Sequence, residues 1–377
     1  MLKVLNIIGK RPVGGIGAFV YNYQSHFNCN DLKVDYLLFD DDLNGIFDEK
    51  VKKLGSKVYI LPALKNRRVI SLWLKINKFM KTIGKEYDII HLHSINIAFM
   101  CFPSAKKYGV KYLIAHSHAT VYSDKILNAI RNKLLCKNLL KEANVYMACS
   151  VAAGEFLYGK KNMDKVIILN NAIDCKKFRF YEEVRNKYRR EIGVKDKFVL
   201  GNIGRLCEQK NQLFLIDIFF ECQKIIKNAE LILVGDGPMK NEIELKVKKL
   251  GLTDKVHFLG MRNDIEKILQ VMDVFVLPSL FEGLPVIGIE AQASGLPMVV
   301  SDTITKELNL GDVLFISLNN GPDIWANKIA NYKVEADRSR AYKKVATFGY
   351  DIVNEAKKLK KYYFSLMDKN KIKNDIC

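Results

Sequence analysis

Two acids at E-x7-E spacing, Glu282 and Glu290, stand in the segment LPSLFEGLPVIGIEAQASGLPMVVSD. An apolar run ends at Pro278, a loop follows, and Pro285 suits a first helical position. One acid in the loop and one in the helix could face a single cleft, both accepting hydrogen bonds from hydroxyl groups. The N–H groups of Gly283 and Leu284, at the helix start, are oriented for an anion. In the plainer alternative, Glu282 caps the helix and Glu290 is exposed; the flanking Gly-Leu-Pro repeats weigh against it. Upstream, GNIGRLCEQKN places Arg205 and Lys210 directly after a strand. Two cations there suit a diphosphate, Arg binding oxygens bidentately and Lys acting as a point charge. Most of the 60 basic residues must be solvated surface charges, but the position at a strand's carboxyl end favours a ligand role for these two.

Other residues offer weaker chemistry. Gly14, Gly15 and Gly17 fall between the first strand and first helix, where glycine lets backbone N–H groups approach a phosphate. Asp40–Asp42 follow the second strand, as a ribose-binding acid would. A dinucleotide fingerprint nevertheless fails, because Val20 stands where its last glycine should be and the turn from Ile8 to Gly14 is too long. A plain loop-and-cap role for the glycines remains open. Two histidine pairs end strands, His91 with His93 and His116 with His118. The members of each pair are expected on opposite faces of their strand, which would speak against one metal site per pair. His116, at the very end of its strand, is the better candidate for a reacting group, against an ordinary buried histidine.

These residues must be positioned by alternating strands and helices. Short apolar runs at Lys3–Ile8, Lys33–Phe39, Lys57–Leu61, Asp88–Leu92, Lys111–His116, Val145–Cys149 and Lys165–Leu169 are separated by amphipathic stretches, among them Ile16–Phe27, Val69–Ile83 and Ser123–Lys141. That order implies a parallel sheet covered on both faces. Residues Asp174–Lys197 are charged and aromatic without a buried-strand run, and read as an interdomain connection. A second alternation follows from Phe198, with strands at Phe198–Ile203, Ala229–Val234, Val256–Leu259, Val274–Leu277 and Met298–Val300. Asp351–Met367 reads as a basic helix. The 377 residues, 49% hydrophobic, support two such domains and exclude a disordered or collagen-like chain. No apolar run approaches the ~20 residues of a membrane span. The opening MLKVLNIIGKRP reads as a buried strand rather than a signal peptide, so a cytosolic protein, at most attached to a membrane surface, is expected. Eight cysteines without CxxC pairs read as reduced thiols, and structural zinc is not expected.

The ordered set GGIG, GRLCEQKN, VGDGP at 234–238, HFLG at 257–260 and FEGLPVIGIEAQASGLP resembles the retaining glycosyltransferases of family 4, of the bacterial capsule and exopolysaccharide kind, from about residue 3 to 300. The resemblance implies an α/β protein of GT-B fold, two Rossmann-like doubly wound domains facing a deep cleft. Residues 1–175, with a C-terminal crossover helix at about 351–377, would form the acceptor-side domain; residues 176–350 would bind the nucleotide-sugar. By motif position, Arg205 and Lys210 would hold the diphosphate, Glu290 the ribose hydroxyls and Glu282 the donor sugar's hydroxyls. Gly283 and Leu284 would lie in the same donor loop. Met261 and Arg262 would lie near the base, Gly15 and Ile16 would offer N–H groups to the distal phosphate, and His116 would stand near the reacting sugar. FEGLP lacks the extra Phe-Gly of the commoner form, and Pro285 has no N–H to offer. Departing charge on the diphosphate would be stabilised by these cations and dipoles. Neither an essential metal nor a cofactor is expected, the nucleotide-sugar being a substrate; Asp40–Asp42 would be a DxD in the wrong domain.

The formal net charge is +19, and Lys65 to Lys85 carry seven Lys/Arg and no acid. On a helical wheel Val69, Leu72, Trp73, Ile76, Phe79, Met80 and Ile83 share one face, opposite Lys75, Lys78, Lys81 and Lys85. The helix either docks on the sheet with a solvated basic face or holds the domain at an anionic membrane, where a lipid-linked acceptor would wait. A saccharide acceptor is the other partner considered. Nucleic acid is not expected, since no recognition motif accompanies the charge. An inactive GT-B-like accessory protein is the alternative to a transferase, with a dehydrogenase behind it.

Overall fold

The structure, a computed structural model, describes residues 1–12, 15–27, 30–42, 45–63, 69–123, 126–332 and 337–374, with side chains through 368. Gly14, Lys65, Arg67 and Arg68, singled out above, lie outside the described residues. The chain divides into two compact units, Met1–Ala172 with Ile352–Cys377, and Ile173–Asp351.

The first unit runs β1 (Leu2–Ile8), α1 (Gly15–Ser25), β2 (Leu32–Phe39), α2 (Ile46–Lys53), β3 (Val58–Leu61), α3 (Val69–Thr82), β4 (Ile89–Leu92), α4 (Ala98–Lys107), β5 (Tyr112–Ser117), α5 (Ile126–Leu135), α6 (Leu139–Glu142), β6 (Val145–Ala148), α7 (Val151–Tyr158) and β7 (Val166–Ile168). The second runs α8 (Glu182–Ile192), β8 (Phe198–Ile203), α9 (Gln212–Ile225), β9 (Ala229–Val234), α10 (Lys240–Lys249), β10 (Val256–Phe258), α11 (Ile265–Val271), β11 (Val274–Leu277), α12 (Val286–Ala293), β12 (Met298–Ser301), β13 (Val313–Ile316), α13 (Pro322–Asn331) and α14 (Ala341–Val345). Helix α15 (Ile352–Asn374) belongs to the first unit.

Each unit holds one parallel sheet, in the orders β3-β2-β1-β4-β5-β6-β7 and β10-β9-β8-β11-β12-β13. The strand order reverses beside β1 in one and beside β8 in the other, the signature of a doubly wound sheet. Each sheet feeds two cores. Along β1, Leu2, Val4 and Ile8 pack with Phe19, Val20 and Tyr23 of α1 and with Ile352, Ala356, Leu359 and Tyr363 of α15. Leu5 and Ile7 point the other way, toward Leu72, Ile76 and Met80 of α3. In β9, Ile232 and Val234 serve one core and Leu231 and Leu233 the other. Every inner strand is thus apolar on both faces, which is why these runs read as unbroken hydrophobic segments.

Two expectations change. The charged stretch Asp174–Lys197 is no bare connection: its middle forms α8, closed by Gly193 in a left-handed conformation (φ 86°). Arg185 and Arg189 of α8 both pair with Asp273, at 2.5 and 3.2 Å, and donate to the last carbonyls of α11. The stretch expected as one helix from Ser123 forms α5 and α6 instead. The six described cysteines are free thiols.

Candidate functional site

At the carboxyl ends of β8, β9 and β10 the loops are laced together through backbone. Gly204 N donates to Val234 O and Gly235 N to Gly260 O. Leu206 N donates to Asp236 O, and Met239 N to Leu206 O. This requires glycine at Gly235, which has φ 128° and whose Cβ would stand 2.0 Å from Gly204 O. At Gly237 a Cβ would stand 2.3 Å from Leu206 O. The VGDGP motif therefore works here by close backbone packing, and what it positions is the loop carrying Arg205 and Lys210.

A second latch joins that loop to the one after β11. Leu280 N donates to Gln209 O, and Gln209 Nε2 to Phe281 O. Asn211, in a left-handed conformation (φ 55°), donates through Nδ2 to Pro278 O. Lys210 lies across Gly204 and reaches Glu282 Oε1 at 2.5 Å; the hydroxyl of Ser279 donates to the same oxygen at 3.0 Å. The structure thus brings Lys210 and Glu282 into one ion pair. Arg205 is exposed, and its guanidinium has no hydrogen bond or ion pair among the described residues. Gly283 is half-buried in the loop, Leu284 packs into the core, and Pro285 stands just before α12.

Glu290, in the second turn of α12, is half-buried, and its carboxyl has no hydrogen bond among the described residues. Burial pushes its pKa up to about 7, with Lys177 opposing the rise and Glu266 adding to it. Arg262 is engaged locally, donating from Nε and Nη2 to Asp264 at 2.9 and 2.7 Å. That fork holds the Asp264 carboxyl below its usual range. Met261 beside it is 76% exposed.

In the first unit, Gly15 opens α1, exposed, with open space where a Cβ would be; Ile16 packs partly against the core. The acid after β2 is occupied: Arg11 donates from Nε and Nη2 to Asp48 and pairs with Asp40 at 3.3 Å. Asp40 also accepts the N–H groups of Arg11, Asp41 and Asp42. This buried network, which composition did not reveal, makes Asp40 a structural brace.

The histidines depart most from expectation. The expectation of opposite faces fails because residues two apart on a strand share a face: the rings of His91 and His93 stack at 4.3 Å, and those of His116 and His118 at 4.1 Å. With β4 and β5 side by side, the two pairs meet in one cluster. His91 Nε2 lies 3.0 Å from His116 Nδ1, and His93 Nδ1 lies 2.9 Å from His118 Nε2. The cluster is anchored by Tyr363 of α15, 2.6 Å from His91 Nδ1, and by Asn6 of β1, whose Oδ1 is 3.2 Å from His93 Nε2. His116 is fully buried, with Phe19 perpendicular to it at 5.0 Å. Burial pushes His91 and His118 down to about 3 and His93 and His116 well below the usual range, so all four are neutral near pH 7. His91, His93 and His116 also offer nitrogens within 4.8 Å of one another. An ion among them would replace hydrogen bonds already made.

The sequence motif described as Glycosyltransferase Family 4 matches residues 13–177, and the one described as Glycosyl transferases group 1 matches residues 197–332. EpsF of Bacillus subtilis (strain 168), whose name assigns it to the glycosyltransferases without a donor or acceptor, is 30% identical over 93% of each chain. The UDP-Gal:alpha-D-GlcNAc-diphosphoundecaprenol alpha-1,3-galactosyltransferase of Escherichia coli is 27% identical, covering 88% of this chain and 86% of that one. The Anabaena protein HepE, solved with UDP and glucose, superposes with a TM-score of 0.78 at 20% identity, covering 97% of this chain and all of that one. Two doubly wound parallel sheets, the matched motifs on both and a full-length relative together place this chain in the glycosyltransferases of GT-B fold.

Proposed function

We propose that the chain moves a sugar, with retention at the anomeric carbon, from a UDP-sugar to a lipid-linked saccharide in capsule or exopolysaccharide assembly, and that it needs no metal. The observation that carries this reading is the charge arrangement after β8 and β11. There Lys210 is held by Glu282 while Arg205 stands exposed, its guanidinium without a partner among the described residues. A fixed point charge and a free guanidinium suit a diphosphate that gains negative charge as its bond to the sugar breaks. Glu290, half-buried and without a hydrogen bond among the described residues, suits the two ribose hydroxyls, and Met261 and Arg262 the base. Gly283 and Leu284 lie in the donor loop, and the start of α1 at Gly15 and Ile16 suits the distal phosphate.

The uridine donor and the lipid-linked acceptor are supported by the names of relatives, UDP-Gal and a diphosphoundecaprenol in one, UDP in another. Action at a membrane surface is supported by α5, which buries none of its residues. Ile126, Leu127, Ile130 and Leu134 fall within one arc of its wheel at 79%, 83%, 56% and 67% exposure, flanked by Arg131 and Lys133. On α3 the apolar face expected from the wheel is mostly spent on the core, leaving Ile70, Trp73 and Leu74 beside exposed Lys75, Lys78 and Lys81. No described helix is long and apolar enough to cross a membrane.

The test is thermal protection by UDP, GDP and ADP on the wild type and on Arg205→Ala, followed by transfer from UDP-sugars to GlcNAc-diphosphoundecaprenol. A ligand at 100 times its Kd adds about 2.7 kcal/mol. Protection by UDP, lost in the variant, is the expected result. Protection by none of the three removes the donor site.

A further inference from the structure

We propose that Ser279, Ser301 and Thr303 are positioning residues for the donor sugar, acting through Glu282. This rests on the transferase reading above and on the resemblance that puts Glu282 at the sugar's hydroxyls. What the three hydroxyls decide is which carboxylate oxygen the sugar meets.

The chain of contacts starts on the loop after β12. Strands β11 and β12 lie side by side, with Leu277 opposite Val300, so the loops that follow them run together. Ser301, the last residue of β12, donates from Oγ to Ser279 O at 2.6 Å, and Thr303 Oγ1 donates to the same carbonyl at 2.9 Å. The two hydroxyl oxygens are themselves 2.8 Å apart. A backbone bridge between Glu282 and Ile304 fastens the same two loops, and Ile304 is anchored in the core. Ser279 and Ser301 have no exposed surface. Two hydroxyls on one enclosed carbonyl therefore fix the Ser279 backbone from the neighbouring loop.

That backbone aims the Ser279 hydroxyl. It donates to Glu282 Oε1 at 3.0 Å, the oxygen that also takes the Lys210 ammonium at 2.5 Å. Oε1 thus receives two donors, and Oε2 has no hydrogen bond among the described residues. Nor is Oε2 one of the buried unpaired atoms, so it is open to a ligand. The last torsion of a glutamate is broad and roughly two-fold. With Lys210 as its one partner, Glu282 could turn either oxygen to the cation, because an ammonium is a compact point charge. The Ser279 hydroxyl removes that freedom by holding the oxygen on its own side. The carboxylate then presents Oε2 as a preset acceptor, and two N–H groups of Lys210 remain for the diphosphate. Ser279 is enclosed and meets no substrate itself.

The experiment measures affinity for UDP and for whichever of UDP-galactose, UDP-glucose, UDP-GlcNAc and UDP-GalNAc the wild type binds most tightly. Release of UDP from that donor is then followed without acceptor. The variants are Ser279→Ala, Thr303→Val, Thr303→Ser, Glu282→Gln, and Ser279→Ala combined with Glu282→Gln. UDP carries no sugar, so its affinity should match the wild type in Ser279→Ala and in both Thr303 variants. For the UDP-sugar, Ser279→Ala should lose roughly tenfold in kcat/KM, the size of one hydrogen bond to a charged group. Thr303→Val should lose a smaller part, restored in Thr303→Ser. In the Glu282→Gln background, Ser279→Ala should cost nothing further, since its effect runs through that carboxylate. Additive losses, or equal losses for UDP and UDP-sugar, overturn the proposal and leave the serine a matter of packing. Wild-type kcat/KM in Ser279→Ala overturns it too. Thr303 is exposed, so its two variants decide the matter if the buried serine is needed for folding. Failure of the wild type to bind UDP sinks the donor reading and this inference together; intact UDP binding with unchanged handling of the sugar sinks this inference alone.

Discussion

Lys210 Nζ stands 2.5 Å from Glu282 Oε1, and this single contact ties the loop after β8 to the loop after β11. Both side chains are largely withdrawn from water, at 15% and 10% exposure. Such a pair is more informative broken than intact, since removing one partner strands a charge. Lys210→Met should therefore destabilise the second unit by about 3 kcal/mol. The double variant Lys210→Met with Glu282→Gln should regain most of that stability without regaining UDP protection. Urea unfolding checks the first statement and thermal shift the second. A double variant as unstable as the single one would mean that the lysine acts through packing alone.

Glu290 should make UDP binding depend on pH. Its carboxyl, raised by burial to about 7, is largely protonated below that pH, and only the ionised form accepts from both ribose hydroxyls. Affinity should rise with pH up to about 7 and level off above it. The raised value also means that folding stability is full below the usual carboxyl range and is lost as pH climbs toward 7. Glu290→Gln should remove both dependences, and should be the more stable protein at pH 8. Titrating the variant alongside cancels the ionisation of the nucleotide's own phosphate. Parallel pH profiles for the two proteins would rule the carboxyl out of the ribose site.

What was legible in the sequence is what depends on near neighbours. Leu5 and Ile7 against Val4 and Ile8 announce a strand buried on both faces, and E-x7-E with R-x4-K announces the charged loops of the second unit. What was not legible depends on which strands lie side by side and on partners far along the chain. That His91 and His93 meet His116 and His118 follows from β4 lying beside β5, which no local pattern states. Arg11 finds Asp48, and His91 finds Tyr363 272 residues away, through packing that no local pattern encodes. Arg185 and Arg189 looked like linker charge until Asp273 gave them a partner.

The histidine cluster should make the first unit sensitive to acid. His91 and His118 are pushed by burial to about 3, below the 6.5 of an unfolded chain. Their contribution is present above pH 6.5 and is lost as pH falls from there toward 3, each neutral ring adding up to about 1.4 kcal/mol per pH unit to the slope. Urea midpoints measured between pH 7 and 4.5 should fall steeply, and His118→Asn should flatten the fall. Equal slopes in the two proteins would show that His118 is solvated enough to protonate freely.

The exposed apolar arc of α5 should matter at a membrane and nowhere else. Ile126 and Leu127 are 79% and 83% exposed, so replacing both by serine removes almost no packing and should leave the unfolding midpoint unchanged. Inserted into an interface, each would bury an aliphatic side chain worth about 1.5 kcal/mol or more. The double variant should therefore bind anionic vesicles at least ~10²-fold more weakly. Charge reversal at Lys75 and Lys78 of α3 separates the electrostatic part, which should weaken binding to phosphatidylglycerol vesicles and fade with added salt. Transfer to a water-soluble diphosphate-linked acceptor should be untouched in all these variants, whereas transfer to the undecaprenyl-linked acceptor in vesicles should fall with binding. Cosedimentation with phosphatidylglycerol and with phosphatidylcholine vesicles decides the matter. If the serine variant sediments like the wild type, α5 does not enter the membrane.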